Sequence, residues 1–170
     1  MPRTVTFKGK PLTLVGPELK VGDAAPEFAA VSGGLDVVTL ATTPAKARLF
    51  SVVPSIDTGV CQLQTKKFNE SLGALGDKVA SYTVSLDMPF AQKRFCELEK
   101  IGNFSMLSDL HDQSFGKNFG VLTTGLPIPL LARSIFVVDK NNKIAYVEIV
   151  PEIATHPDYD KAMAALSAAV

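Results

Sequence analysis

The clearest chemical signal in the sequence is Cys61, which follows the segment Phe-Ser-Val-Val-Pro-Ser-Ile-Asp-Thr-Gly-Val at positions 50–60. The apolar, β-branched start of this segment is typical of a buried strand, and Pro54 ends the strand because proline cannot donate to a sheet ladder. Asp57 and Thr58 are helix-capping residue types, and apolar residues after Cys61 recur at helical spacing. We therefore predict that a helix begins here, with Cys61 in its first turn.

That position has a chemical consequence for the Cys61 thiol. Unpaired N–H groups and the positive end of the helix dipole stabilise an anion at a helix N-terminus. A thiol held there ionises more readily than a free thiol, and the thiolate is the reactive nucleophile. Cys61 is therefore a candidate thiolate. The alternative, an inert buried structural cysteine, does not need a broken strand and a capped helix in front of it.

The composition limits the classes of protein to which the chain can belong. Its 170 residues are 46% hydrophobic and 20% charged, which predicts one domain over residues 1–170 with an adequate core. Lys plus Arg and Asp plus Glu both number 17, and this zero net charge argues against nucleic acid or an anionic membrane as partner. The start of the chain lacks an apolar signal segment, and no apolar run reaches the roughly 18 residues of a spanning helix. We predict a cytoplasmic protein.

The second cysteine is Cys96, and two cysteines are too few for the disulfide framework of a small secreted protein. In a reducing compartment such a pair indicates redox chemistry or no role at all. Cys96 falls on the same side of a predicted helix as Gln92, which predicts a solvent-facing thiol. His111 and His156 stand alone without the spacing of a metal site, so we expect neither a metal nor another cofactor.

The elements that must position Cys61 alternate between strand and helix in the middle of the chain. Residues 5–14 predict an N-terminal β-hairpin around Lys8-Gly9-Lys10, with Pro11 favouring an edge position. Asp87 is expected to cap a second helix that begins at Pro89. The remaining elements are a hairpin over 28–40, strands over 79–85, 104–107, 134–138 and 144–150, a short helix over 114–119 and a last helix after Pro157. This order predicts an α/β fold, a thioredoxin-like mixed β-sheet flanked by helices.

Thioredoxin-type oxidoreductases carry Cys-x-x-Cys at the start of the helix after a central strand. The corresponding residues here are Thr58-Gly-Val-Cys61. Because a hydroxyl replaces the first thiol, Cys61 cannot close a local disulfide, and any partner must lie elsewhere in the chain or outside it.

Pro54-x-x-x-Thr58-x-x-Cys61 resembles the active-site signature of the peroxiredoxins. Three longer strings are similar to one bacterial subgroup of that family, the thiol peroxidases of the atypical two-cysteine type. They are Pro-Ser-Ile-Asp-Thr-Gly-Val-Cys from residue 54, Pro-Phe-Ala-Gln-Lys-Arg-Phe-Cys from residue 89 and Leu-Ala-Arg-Ser from residue 131. The similarity extends over nearly the whole chain.

The resemblance implies a role for each of five residues. Cys61 would be the peroxidatic cysteine, Cys96 the resolving cysteine that joins it in an intramolecular disulfide, Thr58 a hydrogen-bonding partner, Pro54 a pocket wall and Arg133 the cationic partner. It also implies a hydroperoxide substrate, a thioredoxin-like reductant, a homodimer and a place in antioxidant defence. These roles suit the chemistry, because cleaving a peroxide needs a thiolate and donors for the departing oxygen.

One departure from the family and two other functions stay open at this point. Glu97-Leu98-Glu99 follows Cys96 where the family usually has a small, glycine-containing stretch, which puts easy unwinding at Cys96 in doubt. A thiol-disulfide oxidoreductase acting on proteins is disfavoured by Thr58. A non-catalytic thioredoxin-like binding module is disfavoured by the presence of both cysteines.

Overall fold

The computed structural model describes residues 2–170. Its strands are β1 (Thr4–Phe7), β2 (Lys10–Val15), β3 (Ala29–Ser32), β4 (Val37–Thr39), β5 (Ala47–Val52), β6 (Val79–Ser85), β7 (Ser105–Ser108), β8 (Leu122–Thr124), β9 (Ser134–Val138) and β10 (Ile144–Ile149). Its α-helices are α1 (Gly59–Leu72), α2 (Pro89–Glu99), α3 (Ser114–Asn118) and α4 (Tyr159–Ala168), with a 3₁₀ turn at Gly76–Lys78. Among these described residues, no helix has the length and apolar character needed to cross a membrane.

A seven-stranded mixed sheet in the order β10-β9-β5-β6-β7-β3-β4 forms the centre of the structure. Strands β5, β6 and β7 run parallel, whereas β9 lies antiparallel to β5 on its other side. Every residue of β5 is buried, as expected for a strand with neighbours on both sides and both faces covered. The predicted thioredoxin-like mixed sheet flanked by helices is confirmed.

The predicted N-terminal hairpin is also confirmed, and it turns through Lys8 and Gly9, which have φ values of 49° and 79°. The expected edge position of the Pro11 strand is wrong. Strand β2 lies between β1 and β8 in a separate three-stranded sheet. Pro11 is tolerated because β8 pairs only with Thr13–Val15, so the missing N–H falls outside that ladder.

The core lies on both faces of the large sheet, and β5 contributes to both because successive side chains point to opposite faces. Phe50 and Val52 pack into the cluster on one face, and Leu49 and Val53 pack into the other. The first cluster contains five phenylalanines in mutual contact, Phe28, Phe50, Phe115, Phe119 and Phe136. The second lies under α1 and α4 and includes Phe68, Leu72 and Leu166.

Helix α2 begins at Pro89 as predicted, but Asp87 does not cap it. The N-cap residue is Met88, and no side chain accepts a hydrogen bond from the first turn. The Asp87 carboxylate turns instead toward the segment before α1, where Ser55 Oγ and the Ile56 N–H donate to it. Asp87, a capping residue type next to a helix start, thus makes a tertiary contact with a distant turn and does not cap the helix.

The predicted orientation of α2 is wrong by part of a turn. Gln92, on the side predicted to face solvent, is fully buried, whereas the apolar Leu98 is 73% exposed. The buried amide is accommodated because its Nε2 donates to Ser85 Oγ and to the Leu107 carbonyl. Cys96, four residues after Gln92, is consequently half-buried and not on the solvent-facing side.

Candidate active site

Cys61 lies in the first turn of α1, as the sequence predicts. The helix begins at Gly59, and Thr58 is its N-cap residue with an extended backbone. The Thr58 hydroxyl does not cap the helix, because it donates backward to the Ser55 carbonyl at 3.2 Å. The Cys61 side chain is fully buried, so the sulfur is not exposed to solvent in this conformation.

Arg133, the residue just before β9, donates a hydrogen bond to this sulfur. Residue Ser134 of β9 pairs with Val52 at the end of β5, which places Arg133 beside the point where the chain leaves the sheet for α1. Its Nη2 donates to Cys61 Sγ at 3.1 Å, and its Nε donates to the Ile153 carbonyl at 2.7 Å. Because Arg133 is only 2% exposed, the orientation of its guanidinium is set by these partners.

Gln64, which sequence reasoning does not identify as a site residue, holds the third arm of the guanidinium. Its Oε1 accepts a hydrogen bond from Arg133 Nη1 at 2.8 Å, and its Nε2 donates to Ser51 Oγ at 2.8 Å. The side chain is fully buried. The signal that points to it is a glutamine in the apolar stripe of α1, one turn after Cys61.

Two positive groups face the Cys61 sulfur. A buried thiolate is costly unless a charge partner is close. Here the fixed cation of Arg133 and the positive end of the α1 dipole both lie at the sulfur. The arrangement therefore places the cysteine sulfur beside a charged group that can also donate to a neighbouring oxygen.

Arg133 lines a pocket of about 230 Å³. Pro54 and Thr58, which the family resemblance also assigns to the site, line the same pocket. The other lining residues are mostly apolar and come from the N-terminal hairpin, the start of α1 and two loops, namely Phe7, Lys8, Ser55, Gly59, Val60, Leu130, Ile153 and Ala154. The contribution of the hairpin was not anticipated from the sequence.

Cys96 is not part of this pocket. It lies on α2 and lines a separate cleft of about 260 Å³ together with Gly33, Lys93 and Met106. Burial, and secondarily the negative charge of Glu97, raises the pKa of the Cys96 thiol to about 11. The structure thus places Thr58, Pro54 and Arg133 at one pocket, with the Cys61 sulfur hydrogen-bonded to Arg133, and leaves Cys96, a free protonated thiol, outside it.

The family model named Redoxin matches residues 20–163. The thiol peroxidase of Halalkalibacterium halodurans is 52% identical over 98% of this chain and 99% of its own length, and that of Bacillus subtilis is 50% identical over 98% of both. A crystal structure of a peroxiredoxin-like protein from Aquifex aeolicus superposes with a TM-score of 0.92 at 43% identity, covering 100% of this chain and 99% of that one. The chain therefore belongs to the Redoxin family and, within it, to the thiol peroxidases of the peroxiredoxin type, which are thiol-dependent peroxidases.

Proposed function

We propose that this enzyme reduces hydrogen peroxide and organic hydroperoxides with Cys61 as the peroxidatic cysteine. The observation that supports this most directly is the 3.1 Å hydrogen bond from Arg133 Nη2 to the buried Cys61 sulfur, together with the pocket that Arg133 lines. A nucleophile, a charged donor and room for a small reactant meet there and define a reacting position.

In the first step the Cys61 thiolate attacks the terminal oxygen of the hydroperoxide. The S–O bond forms as the O–O bond breaks, so sulfur is oxidised to a sulfenic acid and the peroxide is reduced to water or an alcohol after the departing oxygen takes up a proton. Arg133 supplies fixed donors for the charge that develops on the two oxygens. Thr58, which lines the pocket, offers a hydroxyl that both donates and accepts, and Pro54 shapes the wall.

In the second step the Cys96 sulfur attacks the sulfenic acid of Cys61 within the same chain. An S–S bond forms, the oxygen leaves as water, and an external thioredoxin-like dithiol then reduces the disulfide and is itself oxidised. Cys61 is fully buried at the start of α1, and Cys96 is half-buried on α2 at a different cleft. The first turn of α1 must therefore open before Cys96 can reach it.

The lining of the pocket supports organic hydroperoxides as substrates beside hydrogen peroxide. Phe7, Val60, Leu130 and Ile153 present carbon surface along the approach to Arg133. Apolar walls with few polar groups are typical of sites that bind small organic ligands. An alkyl or aryl group would be desolvated there while its hydroperoxide meets Cys61.

The wider setting of the enzyme is part of the same proposal. One peroxidase domain over residues 1–170 acts in the cytoplasm, where the two free thiols are kept reduced. A homodimer is supported by three exposed apolar side chains that follow the carboxyl ends of the parallel strands β6 and β7, Met88, Phe90 and Leu110. Sedimentation of the reduced protein, with Phe90→Ser as the variant expected to weaken the dimer, tests the oligomeric state.

A coupled assay tests the function itself. Oxidation of NADPH by thioredoxin reductase and thioredoxin is followed with hydrogen peroxide or cumene hydroperoxide as oxidant. We expect turnover by the wild-type protein, none by Cys61→Ser, and no sustained turnover by Cys96→Ser. Equal turnover by wild type and Cys61→Ser would refute the proposed function.

A further inference from the structure

We propose that Asp87 is a positioning residue that holds the turn before α1 in its peroxide-reactive form and must release it before the disulfide can form. This inference rests on the proposed function. Asp87 follows β6, whose end lies beside the end of the parallel strand β5. Its side chain is therefore placed against the turn over residues 53–58 and not against its own helix.

The carboxylate accepts hydrogen bonds from two groups of that turn. Oδ1 accepts a hydrogen bond from Ser55 Oγ at 2.8 Å, and Oδ2 accepts one from the Ile56 N–H at 2.9 Å. The Ser55 carbonyl in turn accepts from both the Thr58 N–H and the Thr58 hydroxyl, at 3.3 and 3.2 Å. Asp87 thus fixes Ser55, and Ser55 fixes Thr58 at the entrance to the pocket.

The same carboxylate connects the turn to the helix that carries Cys96. Ser85 Oγ donates to Asp87 Oδ2 and accepts from Gln92 Nε2 at 3.0 Å. Gln92 is buried on α2 and lies one turn before Cys96, on nearly the same face. The Asp87 backbone is held as well, because Ser108 Oγ donates to its carbonyl at 2.6 Å.

These contacts should change the rates of the two chemical steps in opposite directions. With the bonds intact, Thr58 and the first turn of α1 stay in place, which favours attack on the peroxide. For Cys61 to reach Cys96, the turn over residues 53–58 must move, and the bonds from Ser55 and Ile56 to Asp87 are then broken. Removing the carboxylate should therefore slow the first step and speed the second.

The test is a single-turnover comparison of wild type, Asp87→Asn, Asp87→Ala and Ser55→Ala. Because the chain has no tryptophan, both steps are followed by rapid acid quench, thiol alkylation and mass spectrometry. Asp77→Asn is the matched control, since Asp77 is an exposed aspartate in a 3₁₀ turn away from both cysteines. Ser55→Ala removes one of the contacts and serves if Asp87→Ala does not fold.

For the Asp87 variants we expect the second-order rate of Cys61 oxidation to fall about tenfold, as for the loss of hydrogen bonds to a charged group. The first-order rate of disulfide formation should rise about threefold or more, and Ser55→Ala should change both rates in the same directions. Either rate staying at the wild-type value, or both rates falling together, would overturn the proposal. Failure of the proposed function is distinguishable, because wild type itself would then form no Cys61–Cys96 disulfide.

Discussion

Arg133 Nη2 lies 3.1 Å from the sulfur of Cys61, although the two residues are 72 positions apart in the chain. The antiparallel pairing of β9 with β5 brings them together. The other two arms of the guanidinium are held by Gln64 and the Ile153 carbonyl. The direction of its hydrogen bond to sulfur is therefore fixed before any peroxide arrives, which is the form of preorganisation that lowers a reaction barrier.

Replacing Arg133 by lysine should remove most of the activity although the positive charge remains. One ammonium group cannot donate to Cys61, Gln64 and Ile153 in the planar fork that arginine provides. We expect the second-order rate with hydrogen peroxide to fall by roughly 100-fold, the typical cost of one oriented donor in an active site. Arg94→Lys, on the exposed side of α2, is the control. An unchanged rate in Arg133→Lys would remove Arg133 from the mechanism.

Gln64→Ala should lower the same rate by about tenfold, because Arg133 loses a charge-assisted hydrogen bond that orients it. Gln62→Ala is a matched control on the same helix, since Gln62 is outside the network around Arg133. Quenched-flow kinetics with both variants separate the effect of orientation from a general effect on α1. Equal rates for the two variants would show that Gln64 does not position the guanidinium.

The raised pKa of Cys96 should be visible in the pH dependence of its alkylation. In Cys61→Ser, alkylation of Cys96 by iodoacetamide should keep rising with pH to a midpoint of about 11, above the usual 9.0. The folded state holds the thiol proton more tightly than the unfolded chain does. The resulting stabilisation is complete below about pH 9 and is lost as the pH rises through about 11. An alkylation midpoint at or below 9 would contradict the burial of this thiol.

Glu152→Gln should impair organic hydroperoxides more than hydrogen peroxide. The Glu152 carboxylate accepts hydrogen bonds from the Thr6 hydroxyl and from the N–H groups of Lys8 and Gly9, and so holds the hairpin tip that lines the pocket. These bonds lower the pKa of Glu152 to about 2, so the contact is present at neutral pH and is lost as the pH falls toward 2.

We expect kcat/KM for cumene hydroperoxide to fall roughly threefold, the scale of one ordinary hydrogen bond. The exposed Glu70→Gln serves as the control. If Glu152→Gln lowered the values for cumene hydroperoxide and hydrogen peroxide by the same factor, the hairpin tip would have no part in binding the organic group.

The sequence predicts those parts of the structure that depend on neighbours in the chain. The end of a strand at Pro54, the start of α1 and the place of Cys61 in its first turn all follow from one short segment. Only the family resemblance indicates Arg133 as a site residue, because its contact with Cys61 depends on strand pairing between distant segments. Gln64 was missed for the same reason, since a buried glutamine has no recognisable role until its partner is known.

Other differences have equally specific causes. Strand β8 is not among the predicted strands, because its three residues are too few for an alternating pattern to indicate a strand. Asp87 is a capping residue type next to the start of α2, but parallel strands bring its carboxylate to Ser55 and Ile56, which donate to it. Burial of Gln92 rotates α2, because the amide finds two partners in the sheet, and this half-buries Cys96.

The most direct test of the account is peptide mapping of the reduced protein after one equivalent of hydroperoxide, under non-reducing conditions. We predict a single linked pair of peptides, one containing Cys61 and the other Cys96, in a protein that still migrates as one chain under denaturing conditions. In Cys96→Ser the same treatment should leave a sulfenic acid on Cys61, which excess peroxide carries on to sulfinic acid. An unmodified Cys61, or a disulfide that joins two chains as the main product, would contradict the account.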